Sequence, residues 1–184
     1  NKRKEKYLFI LISDINLTAN HKNLKVVEEH LKEAKEKNAR ILLSGNTLNF
    51  FKTNKNFSIR KNKKEEFDQT LSMDFAYEFL KPYAQNIEFI TYKNSELIEL
   101  LPLRKLVNKL NYTMDSNIEL SQERNWYTAL FHMNNSVYKY NIFMDEGKTK
   151  SPVTKGKIQH SRLAEKIDGA DVIWLHDRNN DYEH

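Results

Sequence analysis

Tyr7-Leu8-Phe9-Ile10-Leu11-Ile12 runs into Ser13-Asp14-Ile15-Asn16, and about thirty residues later Ile41-Leu42-Leu43 runs into Ser44-Gly45-Asn46. Each is an unbroken apolar run of strand length ending in polar turn residues. Continuous rather than alternating apolarity predicts strands covered on both faces, as in α/β sheets. Between them, Lys22 to Lys37 carries Leu24, Val27, Leu31 and Ala34 at helical spacing, and Asn38 is a stop signal. Strand, helix, strand is most simply a right-handed parallel crossover.

The same alternation continues. Phe50 to Lys64 is polar and basic and reads as a long surface loop. Glu65 to Tyr83 is a predicted helix, with Phe67, Leu71, Phe75 and Phe79 four residues apart on one stripe. Ile87 to Ile90 is a third strand, followed by the polar turn Tyr92 to Glu96. Leu97 to Leu110 is a further helix, in which Pro102 marks either the first turn or a break. Tyr127 to Met133 and Val137 to Phe143 predict an antiparallel hairpin across Asn134-Asn135. Lys157 to Lys166 reads as a helix and Val172 to Leu175 as a last strand.

The chain has 184 residues, 39% of them hydrophobic, which predicts one folded domain over 1–184 with a sizeable core. It has no cysteine, so disulfides, thiolate metal sites and thiol catalysis are excluded, and a reducing compartment is expected. No apolar stretch approaches the roughly 20 residues that span a bilayer, and no signal-peptide pattern opens the chain. A cytoplasmic protein without a membrane partner is expected. The net charge of +5 suits an anionic partner, yet the lysines are interleaved with 25 acidic residues, which is ordinary for a solvated surface.

Several apolar strands end in a carboxylate or amide: Asp14, Asn46, Asn94, Asp145 and Asp177. In open α/β sheets ligands bind outside the carboxyl ends of the strands. Asp and Asn are also common turn residues in their own right. Taken singly each reads as a turn; taken in order they compete as a site.

In order and spacing these strand ends resemble the signature of the calcineurin-like metallophosphoesterases, in the subgroup found in bacteriophage and plasmid genomes. Asp14-Ile15-Asn16 stands for D-x-H, Gly45-Asn46-Thr47-Leu48-Asn49 for G-D-x-x-D, and Lys93-Asn94-Ser95-Glu96 for G-N-H-E. Met144-Asp145-Glu146-Gly147 stands for a His-containing stretch and His176-Asp177-Arg178-Asn179 for G-H-x-H. The resemblance implies a four-layer α/β/β/α sandwich of two mixed sheets, cut short at the C-terminus. It also implies metal-dependent phosphoester hydrolysis on a nucleotide, nucleic acid or phosphoprotein. The family uses two divalent ions (manganese, zinc, iron or nickel) some 3.5–4 Å apart. Their ligand positions fall on Asp14, Asn16, Asn46, Asn94, Asp145, Asp177 and Asn179, and the catalytic histidine falls on Ser95.

This chain departs from that pattern at most points. Asn46 replaces the bridging carboxylate, Asn16, Asp177 and Asn179 replace imidazoles, and Ser95 cannot serve as a cationic acid. An oxygen-only set points to one weakly held magnesium, calcium or manganese ion, or to none. The implied readings are therefore an impaired hydrolase, a silenced copy, or an inactive pseudoenzyme that binds a protein partner as a scaffold in a phage assembly. In the phage case the compartment is the host cytoplasm. The basic loop, with Lys52, Lys55, Arg60, Lys61, Lys63 and Lys64, is expected to guide a phosphoester or nucleic-acid ligand to the site. A weaker reading is nucleic-acid binding by charge alone, with Tyr83, Tyr92, Trp126 and Tyr127 stacking bases or packing the core.

Overall fold

A computed structural model describes residues 7–17, 24–48, 63–92, 97–122, 124–133, 136–146 and 165–176. By density of internal contacts the chain divides into two compact units, Asn1–Ser121 and Gln122–His184.

In the first unit, β1 (Phe9–Ser13), β2 (Arg40–Ser44) and β3 (Ile87–Tyr92) are parallel neighbours, and β4 (Glu119–Gln122) lies beside β3. Three helices alternate with them: α1 (Leu24–Glu36), α2 (Lys63–Leu80) and α3 (Leu97–Met114), with a 3₁₀ helix (Lys81–Asn86) leading into β3. The parallel strand-helix-strand reading of the opening stretches is therefore correct. Residues Ile41 to Ser44 of β2 are all buried, as their continuous apolarity predicts. β1 differs from expectation: it is the outer strand, and its five residues are only partly buried.

Each helix buries one stripe. α1 contributes Val27, Leu31 and Ala34, spaced four and three apart, so they share one face. α3 contributes Leu103, Leu106, Val107 and Leu110, all at most 4% exposed. With Ile41, Leu43, Leu80, Tyr83 and Ile90 they form one core. Removing this much apolar surface from water, at about 25 cal/mol per Å², is the main force holding the unit together. Pro102 neither starts nor ends α3, which continues to Met114 around it. α1 stops where expected: Asn38 takes a left-handed backbone (φ 48°), and the Ala39 amide donates to the Ala34 carbonyl at 2.8 Å. α3 stops with Asp115 at φ 49°. There Asn111 accepts from the Ile118 amide at 2.8 Å and donates to its carbonyl at 2.9 Å. That pair of bonds steers the chain into β4, a strand of four residues for which the sequence carries no periodic signal.

The second unit holds the expected hairpin, longer than predicted: β5 (Asn125–Met133) pairs antiparallel with β6 (Ser136–Glu146), and β6 pairs parallel with β7 (Val172–His176). Trp126 and Phe143 are directly opposite and pack edge to face, centroids 5.0 Å apart. The approach to β7 is tied to β6 by three bonds. The Asn141 amide donates to Asp171 Oδ2 at 2.7 Å, Asn141 Nδ2 donates to the Gly169 carbonyl at 2.9 Å, and the Asp171 amide donates to the Asn141 carbonyl at 2.9 Å.

The class is thus α/β, with one sheet parallel across three strands and a second, mixed sheet. The expected four-layer stacking is a finer statement, about both sheets together. Of the predicted helix Lys157 to Lys166, the part before 165 lies outside the described residues, and residues 165 and 166 form a turn. Among the described residues no helix is long and apolar enough to cross a membrane.

Candidate polar site at the strand ends of the parallel sheet

Parallel strands all point their carboxyl ends the same way, so the residues that follow β1, β2 and β3 emerge on one edge of the sheet. There the chain leaves β1 at Asp14 and β2 at Gly45 without the two segments parting. The Asp14 amide donates to the Ser44 carbonyl at 2.9 Å, the Asn16 amide to the Asn46 carbonyl at 2.9 Å, and the Leu17 amide to the Thr47 carbonyl at 2.8 Å. A parallel bridge between Leu17 and Leu48 closes the stretch.

Holding both segments in step requires unusual backbone. Asp14 (φ 51°) and Asn16 (φ 46°) are both left-handed, a conformation that costs most L-residues about 1–2 kcal/mol and that Asp and Asn tolerate best. Gly45 is left-handed as well, at φ 75°. A side chain there would collide with the Asp14 carboxylate, whose Cγ lies 2.8 Å from where a Cβ would stand. The carboxylate thus rests on a bare glycine backbone, and its Oδ1 accepts from the Asn46 amide at 2.9 Å. Asn16 turns back, its Nδ2 donating to the Asp14 carbonyl at 2.7 Å.

Beneath this lies a buried hydroxyl pair. Thr91 Oγ1, at the end of β3, accepts from the Gly45 amide at 3.0 Å and donates to Ser44 Oγ at 3.2 Å. Ser44, Thr47 and Thr91 are the buried polar residues among those described. Among the described residues Thr47 Oγ1 has no partner, and a buried hydroxyl without one is costly enough to call for a further partner or water. Ser44, Thr47 and Thr91 were not singled out from the sequence, because a Ser or Thr closing a strand is commonplace.

Of the predicted site residues, the structure brings together Asp14, Asn16 and Asn46. Asn94, Ser95, Asp177 and Asn179 lie outside the described residues, as do Lys52, Lys55, Arg60 and Lys61; Lys63 and Lys64 open α2. Asp145 belongs to the second unit and does not follow a strand. It sits inside β6, paired with Leu175, and its Oδ2 lies 3.6 Å from Arg124 Nε. Of the aromatics considered for stacking, Tyr83 is core, Tyr92 packs against it, and Trp126 covers Phe143.

At the described strand ends Asp14 is the one carboxylate beside two neutral amides, and a pair of dications needs shared negative charge. Among the described residues no three His, Asp or Glu side chains gather as metal ligands.

No family model matches the chain. No curated protein matches it either. Among solved structures, a PfkB family carbohydrate kinase from Listeria grayi is similar with a TM-score of 0.35 and 12% identity, over 86% of this chain and 49% of that one. The chain therefore spans about half the length of that structure. A likeness at that score carries no argument about what this chain does.

These findings correct the resemblance read from the sequence. The metallophosphoesterase assignment falls, and with it the phosphoester hydrolase, the bacteriophage-type subgroup and the pseudoenzyme derived from it. No model of that family matches the chain, and no curated protein of that family does. The physical reason is that the motifs rest on Asp, Asn and Gly, which turn geometry selects at strand ends whatever the function. Asp14, Asn16 and Gly45 take left-handed conformations there for that local reason.

Proposed function

We propose that the first unit is a binding domain for a small polar molecule, seated at the carboxyl ends of β1, β2 and β3 and donating O–H or N–H hydrogen bonds to Asp14. The observation that carries this reading is the Asp14 carboxylate itself. It is partly exposed, laid across a glycine, and fixed by the Asn46 amide, with both Asp14 and Gly45 on left-handed backbone. Strained backbone around a polar group at a sheet's ligand-binding edge is a motive for proposing function.

The charge of the site sets the ligand class. A carboxylate is an acceptor, so it selects donors: a hydroxylated molecule or an amine. Asn16 and Asn46 add amide groups that both donate and accept, and Thr47 adds a hydroxyl.

The test is a thermal-shift and calorimetric screen of polyols, sugars, nucleosides, amino acids and amines, alongside magnesium, calcium and manganese alone. A ligand at a hundred times its Kd stabilises the fold by about 2.7 kcal/mol, a readily seen shift. Asp14→Asn keeps the acceptor for the Asn46 amide and removes the charge. Loss of the ligand's shift in that variant, with the fold intact, is the expected result. A ligand bound equally well by Asp14→Asn, or binding of the metal ions alone, would sink the reading.

A further inference from the structure

We draw no further inference here: the strongest candidate, the surface patch of exposed Trp126, Leu130 and Val137 on one face of the β5–β6 hairpin, carries none because nothing in the structure shows what covers it.

Discussion

The two sheets use their polypeptide in opposite ways. In the first, parallel strands deliver their ends to one edge, and that edge collects an acid, two amides and three hydroxyls: Asp14, Asn16, Asn46, Ser44, Thr47 and Thr91. In the second, the hairpin turns the chain back at once, so the carboxyl ends of β5 and β6 fall on opposite edges. What it holds instead is a long strand, β5, that carries no Lys, Arg, Asp or Glu. Strand direction alone separates the two cases. Parallel pairing concentrates chemistry at strand termini, whereas a hairpin leaves a long outer strand as its distinctive surface.

The comparison is broken most severely at Gly45. Gly45→Ala places a methyl against the Asp14 carboxylate on a left-handed backbone. It should cost about 3 kcal/mol or more in urea unfolding, as expected where a side chain is both clashing and strained. Adding Asp14→Ala should recover part of that loss, because the two positions share one contact. Simple addition of the two costs would mean that the carboxylate does not rest on the glycine.

Thr91→Val probes the layer beneath. It keeps the shape and deletes the hydroxyl that serves the Gly45 amide and Ser44. Leaving buried partners unsatisfied should cost about 2 kcal/mol. Ser44→Ala, which removes one arm of the network, should cost less. Equal stability of Thr91→Val and wild type would show that the hydroxyl chain plays no part in fixing the edge.

In the second unit the corresponding tie is exposed, and its loss should be milder. Asp171→Ala removes the acceptor for the Asn141 amide and should cost about 1 kcal/mol. A loss as large as that at Thr91 would overturn the distinction between a buried polar edge and a solvated one.

The smallest expected effect on the fold comes from neutralising Lys52, Lys55, Arg60, Lys61, Lys63 and Lys64 together. Stability should change little, while any binding to single-stranded nucleic acid should lose its dependence on salt, by about 0.7 in logarithmic slope for each phosphate contact removed. An unchanged slope would sink the expectation that this basic stretch guides a polyanion.

Much of the scaffold was legible beforehand. Val27, Leu31 and Ala34 announce the buried face of α1, and Asn38 announces its end, because helical period and left-handed tolerance are local properties. β4 was not legible: Glu119 to Gln122 has no periodic signal and becomes a strand because β3 and the Asn111 bonds place it. Asp14, Asn16 and Asn46 were legible as strand-end polar residues. The meaning first attached to them failed, because the same residues serve any tight turn.

By itself the sequence determined which stretches become strands and helices and that polar residues would close the parallel strands, since apolar periodicity and turn chemistry act over a few neighbouring residues. Only the tertiary structure decided which of those residues meet. β3 slips by one residue at Glu88, so that Ile41 pairs with Ile87 but Leu42 with Phe89 and Leu43 with Ile90. That slip carries Thr91 level with Ser44, where its hydroxyl can reach both Ser44 and the Gly45 amide. Register between strands more than forty residues apart is set by packing and backbone pairing across the whole sheet, and no local pattern encodes it.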